Sequence, residues 1–465
     1  MNTTETDILI IGAGLTGLTL AHDLNRKKMD FLVIEKANRI GGVIDTYSKD
    51  GFLFELGPNT GIMGNEYVLQ LFDQLEGRCN LQLAESNVNK RYILKNGRWV
   101  AMPMGLISGI TTPLFSFKDK VRLLGEPFRK PGTNPHETLD QLVIRRMGQT
   151  FLDYAIDPFI GGVYAGDPAY IVPKYALPKL YNLEQKYGSF IGGSIKLHKE
   201  KRAQREKMLQ KKSQGHSKTF SVKGGFKNLT EALYQSAGAE HFLLSVDETK
   251  VEMDDGKFLL TGINKEKEKI IFKANKVVVT VSANQLAQIL QLPGGEDVSA
   301  ISNLKYAQII EVALGFNKWQ GMKLDGFGGL IPYKEQRNIL GVLFPSAIFP
   351  DRAPQGGALI TVFMGGVRKP DVIKLSDDEI MKLVGKEVKD LMGLQHFDPD
   401  LCVISRHQRA IAQYGADCEA RFSLVNELQT KYQGLLIAGS LRDGIGMADR
   451  IKQGFMLSNE LVKGF

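Results

Sequence analysis

Three cysteines are all that this 465-residue chain has, and Cys79, Cys402 and Cys418 stand too far apart for a CxxC pair or a metal-ligand spacing. A disulfide scaffold and a cysteine-based metal site are poor readings, and a reducing compartment fits. The seven histidines are scattered and form no HExxH, so no zinc or iron cluster is announced. No GxSxG supplies a serine nucleophile. No run reaches the roughly eighteen apolar residues that a membrane span requires. The N-terminus carries Glu5 and Asp7 ahead of its apolar run and lacks the basic region of a signal peptide.

What is present is ordinary in bulk. Hydrophobic residues make up 43% and charged residues 24%, a globular balance, and the length calls for two or three domains. The net charge of +8 is compatible with nucleic acid, an anionic membrane surface or an acidic substrate. Lys199, Lys201, Arg202, Arg205, Lys207, Lys211 and Lys212 crowd the stretch 196–218. No aromatics interleave them, which counts against single-stranded nucleic acid and leaves a solvated helix, a mobile loop or attraction to anionic lipid.

The sharpest signal lies at residues 7–42. Asp7-Ile8-Leu9-Ile10-Ile11 is short and apolar, as a buried parallel strand should be. It enters Gly12-Ala13-Gly14-Leu15-Thr16-Gly17, then a helical pattern with Leu18, Ala21 and Leu24 on one face, then a second strand Phe31–Ile34 ending on Glu35. This is the dinucleotide fingerprint in its required context. The first two glycines let the backbone turn and approach a pyrophosphate, the third lets helix and strand close up, and the helix N-terminus faces the phosphates. Glu35 can accept from both ribose hydroxyls. Arg39-Ile40-Gly41-Gly42 extends the contacts toward a longer ligand. A second GxGxxG is absent, so no NAD(P)H site is expected.

Further along, Gly57-Pro58-Asn59-Thr60 reads as a turn, and residues 66–75 as a helix. Tyr92–Leu94 and Trp99–Val100 around Asn96-Gly97 read as a hairpin led by Arg91. Residues 103–130 mix apolar side chains (Met104, Leu106, Ile107, Ile110, Leu114, Phe115) with Lys118, Lys120, Arg122, Arg129 and Lys130. That segment packs on a domain or lies on a membrane interface. Residues 137–160 read as helical. Val277–Val281 and Gly434–Ser440 are buried strands that return to the nucleotide domain, the latter entering a terminal helix through Gly444–Asp449.

The motifs ELGPNTG, GGVYAGDP (161–168), PKLYNLEQKYGSFIGG (178–193), FSVKGGFKNL (220–229), FPDRAP (349–354), AIAQY (410–414) and IAGSLRDGIGMAD (437–449) follow the fingerprint in this order. Together they resemble the oxygen-dependent protoporphyrinogen oxidases and the related bacterial coproporphyrinogen oxidases, over nearly the whole chain. The resemblance implies an α/β fold: a discontinuous Rossmann-like FAD-binding domain (1–85, 220–295 and 430–465), a mixed-sheet substrate domain (86–105 and 296–429) and an inserted helical domain (106–219) that associates with membranes in eukaryotic members. It implies non-covalent FAD held by Gly12, Gly14, Leu15, Thr16, Gly17, Glu35, Lys36, Arg39, Gly41, Gly42, Gly57, Pro58, Asn59, Thr60, Glu248, Gly439, Gly446, Met447 and Ala448. Neither Cys nor His, the usual covalent tethers, occurs in 1–17, 35–61 or 434–465. On the substrate side it implies Arg91 for a propionate, Phe349 against the macrocycle, Leu330 in an apolar wall, and Gly166 with Asn59. The implied partners are a porphyrinogen and O2, with room for an anionic membrane and a neighbouring haem-pathway enzyme, and no nucleic acid. The implied location is the cytoplasm, with the inner face of the cell membrane left open.

The implied reaction is haem-pathway oxidation of a porphyrinogen, protoporphyrinogen IX first and coproporphyrinogen III as the alternative, by hydride transfer to flavin. Such a reaction needs a hydrophobic slot, a cation or two at its rim and close placement. It requires no nucleophile or metal, and the sequence offers no convincing base. A flavin amine oxidase is the nearest rival, but where that family carries a lysine the strand Ile309–Ala313 has Glu311. A carotenoid desaturase would not account for GVYAGDP. A non-catalytic porphyrin- or flavin-binding protein is the reading from another class.

Overall fold

The computed structural model describes residues 3–86, 88, 90–207 and 219–463. Lys211 and Lys212 of the basic stretch lie outside the described residues. The chain divides into two units, one of residues 1–84, 217–305 and 419–465, the other of residues 85–216 and 306–418. The helical stretch expected as a separate insertion thus falls within the second unit.

In the first unit, strand Thr3–Ile11 lies at the centre of a seven-stranded sheet, parallel to Phe31–Ile34 on one side and Lys269–Val279 on the other. The long strand Lys269–Val279 is shared along its length. Its first half pairs antiparallel with Lys257–Ile263, and its last residues pair parallel with Leu435–Ile437. Ile8, Leu9 and Ile10 are fully buried, as central strands covered on both faces demand. The first helix, Leu15–Arg26, packs against helices Lys227–Ala237 and Met447–Lys463. Three stretches far apart in sequence therefore build one core.

The second unit is organised on another seven-stranded sheet, ordered Leu401–Ala412, Tyr306–Phe316, Ala358–Gly365, Gly341–Leu343, Gly326–Leu330, Lys90–Lys95, Arg98–Ala101. Only the pairing of Gly326–Leu330 with Lys90–Lys95 is parallel among these neighbours. Asn96 and Gly97 both have positive φ, which makes the expected tight hairpin turn. One sheet face buries Leu94, Ile310, Val312, Ile360 and Val362 with Val384, Val388 and Leu391 of helix Asp377–Met392.

The expected helix over 137–160 is interrupted. Leu139–Arg146 ends at Gly148, whose φ of +101° breaks the ladder, and a π turn at Leu152–Ile156 precedes Asp157–Val163. Arg146 is why the break is firm. Its buried guanidinium bonds Glu126, Glu184 and the Gly188 carbonyl, tying the segments together. Residues 103–130 do not pack away. Leu114 is buried, but Ile107 is 80%, Phe117 82% and Phe128 89% exposed.

Candidate functional site

The glycine turn of the first unit has the shape an anion requires. Gly12 takes φ +106° and donates to the Ile34 carbonyl. A Cβ on Gly17 would stand 2.0 Å from the Gly12 oxygen, so only glycine lets the helix sit this close to the strand. A Cβ on Gly14 would meet nothing within 4 Å. Open space therefore faces the first turn of Leu15–Arg26, a helix with no side-chain cap at Gly14 and no acid in its first turn. Its unsatisfied N–H groups and partial positive charge are left for a ligand.

Around this turn the other fingerprint residues act as braces. Glu35 accepts from the Ala13 and Ala37 amides at 2.7 and 2.8 Å, which fixes the carboxylate beside the turn while sparing lone pairs for hydroxyls. Arg39 donates to the Ile40, Gly42 and Ile44 carbonyls and so straps the second glycine pair. Gly41 in turn donates to the Ala13 carbonyl at 2.8 Å. Lys36 pairs with Asp247 on the surface, next to exposed Glu248. Gly57 lies against the Val43 carbonyl with no space for a side chain, and Asn59 donates back to its oxygen; Pro58 and Thr60 are half-buried beside them.

The C-terminal contribution sits in the same unit. Gly439 (φ +94°) follows Leu435–Ile437, and Gly446 precedes the helix Met447–Lys463, its amide bonded to Asp449. Asn65 donates to the Ala448 carbonyl at 2.9 Å. Two residues that the sequence reading passed over, Arg450 and Gln453, are buried on this helix, at 9% and 5% exposure. Their signal was polar side chains on the apolar face of an otherwise amphipathic helix. The open space at Gly14 and the uncapped first turn of Leu15–Arg26, which carries no acid, fit a dinucleotide pyrophosphate.

In the second unit, strand register brings together two of the residues expected on the substrate side, Arg91 and Leu330. Arg91 pairs with Gly328 and Ile93 with Leu330; Leu330 then aligns with Gly341, Phe363 and Glu311 on successive strands. In-register partners share a face, so Arg91, Leu330, Phe363 and Glu311 all lie opposite the helix-covered face. Arg91 is exposed, its guanidinium 5.3 Å from the centre of the Phe327 ring, and among the described residues no carboxylate pairs with it. Leu330 is half-buried beneath Gly162, where a Cβ would come within 2.3 Å of its side chain. Gly166 is buried, with Gln413 at the position its Cβ would take. Phe349 is 1% exposed, under the Arg352 guanidinium, so its ring is committed to the interior. Glu311 is 2% exposed with the His407 ring nitrogen at 3.7 Å.

Known proteins are similar along the whole length. The sequence pattern of the flavin-containing amine oxidoreductases matches residues 15–450. Protoporphyrinogen oxidase 2, chloroplastic/mitochondrial, of Arabidopsis thaliana is 28% identical over 96% of this chain and 92% of its own. Coproporphyrinogen III oxidase of Bacillus subtilis is 27% identical over 96% of each. A crystal structure from Exiguobacterium sp. 255-15 superposes with a TM-score of 0.80 at 19% identity, covering 99% of both chains.

Proposed function

Since the chain belongs to the flavin-containing amine oxidoreductases and is an FAD-dependent enzyme of that fold, we propose that it oxidises a porphyrinogen to the porphyrin in haem biosynthesis. The observation that carries this is similarity to curated porphyrinogen oxidases across 96% of the chain. Protoporphyrinogen IX is the first substrate; the Bacillus relative favours coproporphyrinogen III as the second reading.

Bound FAD supplies a hydride acceptor, six electrons leaving the substrate in three steps while three O2 become three H2O2. The chain's residues bind and orient. Residues 1–85, 220–295 and 430–465 hold the cofactor, with the open turn at Gly14 receiving the pyrophosphate and Glu35 the ribose. Residues 86–105 and 296–429 hold the substrate. Arg91, its guanidinium over the Phe327 ring and without an acid partner among the described residues, takes a propionate, and Leu330 supplies apolar surface, while Phe349, buried under Arg352, supports that wall from within. Glu311, where an amine oxidase would place lysine, supports the porphyrinogen reading over the amine.

No described helix is long and apolar enough to cross a membrane. We infer peripheral contact instead. Met104, Ile107, Ile110, Phe117, Leu124 and Phe128 are exposed in a stretch that also exposes Lys118, Arg122 and Lys130, apolar side chains with the charge to meet anionic lipid. A neighbouring haem-pathway enzyme is the competing occupant of that patch. Purified protein given each porphyrinogen in air tests the main reading. Porphyrin fluorescence with stoichiometric peroxide is the expected result, and turnover of amines but of neither porphyrinogen would overturn it.

A further inference from the structure

The turn that carries Gly439 and Gly446 is long and glycine-containing, yet it is held from below by a buried polar cluster. The Gln453 carbonyl oxygen accepts from three sources: the Gly439 amide at 2.9 Å, the Arg450 guanidinium at 2.7 Å and the Thr16 hydroxyl at 3.3 Å. Its amide nitrogen donates to Asp443 at 2.8 Å. Arg450 donates its other terminal nitrogen to the Arg442 and Gly444 carbonyls, both at 2.9 Å. Arg421, fully buried, holds the Leu441 carbonyl from the neighbouring helix. One side chain, Gln453, thus connects the first turn of the glycine-loop helix, through Thr16, with the start and the middle of the C-terminal turn. The two helices approach so closely that a Cβ on Gly454 would lie 2.7 Å from Thr19.

We propose that Gln453 and Arg450 are positioning residues for the flavin: Gln453 fixes the C-terminal turn relative to the glycine-loop helix, and Arg450 both clamps that turn and supplies it with a buried positive charge. The proposal rests on the reading that Gly439 and Gly446–Ala448 meet the cofactor, and not on which substrate is oxidised. Its physical content has two parts. A turn freed from Gln453 no longer holds its backbone in one arrangement against the cofactor, so cofactor affinity falls. A cation at 9% exposure is weakly screened, so it favours the reduced, anionic form of the flavin over the neutral oxidised form.

The test uses full-length protein, without porphyrinogen, so that it stays separate from the test of the substrate. Apoprotein of Gln453→Leu, Arg450→Lys and Arg450→Met is checked for folding by circular dichroism, titrated with FAD, and the holoprotein is equilibrated with redox dyes. Gln453→Leu should raise the FAD dissociation constant at least about tenfold. Arg450→Met should lower the affinity for reduced relative to oxidised flavin about tenfold, which for a two-electron couple is about 30 mV of potential. Arg450→Lys should recover the potential but not the affinity, because an ammonium keeps the charge and lacks the planar fork that spans two carbonyls. Should Arg450→Met fail to fold, the other two variants decide. Folded Gln453→Leu and Arg450→Lys proteins with the parent's FAD affinity would reduce the cluster to ordinary core and overturn the proposal.

Discussion

Replacing Gly14 by valine separates binding from folding, because the structure gives the two effects different sizes. The Gly14 backbone sits at φ −74° and ψ −180°, which any residue adopts, and an added Cβ would meet no atom of another part of the chain within 4 Å. The cost to folding is that of a changed N-cap, a few tenths to about 1 kcal/mol. The same side chain fills the space in front of the helix N-terminus. Excluding a phosphate there removes two or so charge-assisted hydrogen bonds worth about 1.5–3 kcal/mol each. The dissociation constant for FAD should rise on the order of 10²- to 10⁴-fold. Gly17→Ala is the contrasting control. Its Cβ would lie 2.0 Å from the Gly12 oxygen, and such overpacking costs about 1–3 kcal/mol or more. Calorimetry of FAD binding to apoprotein and thermal unfolding of apoprotein together give the answer. Gly14→Val should unfold near the parent's temperature and bind FAD poorly, while Gly17→Ala should unfold earlier. A Gly14→Val protein that takes up FAD with the parent's affinity would refute the reasoning, since the open space would then not be the phosphate site.

Other substitutions probe the remaining features. Arg91→Ala should raise KM about ten- to 150-fold, the worth of one charge-assisted hydrogen bond, with normal flavin content; parent-like KM and kcat would return Arg91 to the surface. His22 is fully buried between Ser236 and Gln74, and burial, opposed by the Gln74 hydrogen bond, holds its pKa below the ordinary value. The unfolded chain therefore binds the extra proton first, and stability should fall as pH drops below about 6.5 and level off below the depressed value. His22→Gln should show a smaller drop in Tm between about pH 7.5 and 5.5, and an unchanged drop would acquit His22. Glu126 is buried, which pushes its carboxyl up, but bonds from Ser189, Phe190, Ile191 and Arg146 outweigh that and hold it low. Glu126→Gln leaves Arg146 short of charge and should cost about 3–5 kcal/mol in denaturant unfolding. Phe117→Ser with Phe128→Ser should weaken sedimentation with anionic vesicles at least about tenfold, given about 1.5–3 kcal/mol for each buried ring; equal sedimentation would dismiss the patch as a membrane surface.

The nucleotide half was legible in the sequence because its signals are local. A glycine turn, its strand and its helix are contiguous from Asp7 to Glu35, and Gly17 answers a steric demand set by the Gly12 carbonyl only five residues before it. The same holds for the hairpin at Asn96-Gly97, where a two-residue turn needs positive φ at both positions. The break at Gly148 was missed, since apolar spacing continues across it and only the glycine's conformation and the clasp of Arg146 stop the helix. The exposure of Phe117 and Phe128 was equally out of reach: periodicity reports that a face is apolar, not whether anything covers it. The grouping of Arg91, Leu330 and Glu311 depends on strand order and register across five strands drawn from two distant stretches. Gln453 shows in sequence only as a polar residue on the apolar face of a terminal helix, with no sign of its partners. Its importance arises because folding brings Thr16 and Gly439, more than 400 positions apart, to one carbonyl oxygen, and no local preference encodes a meeting of that kind.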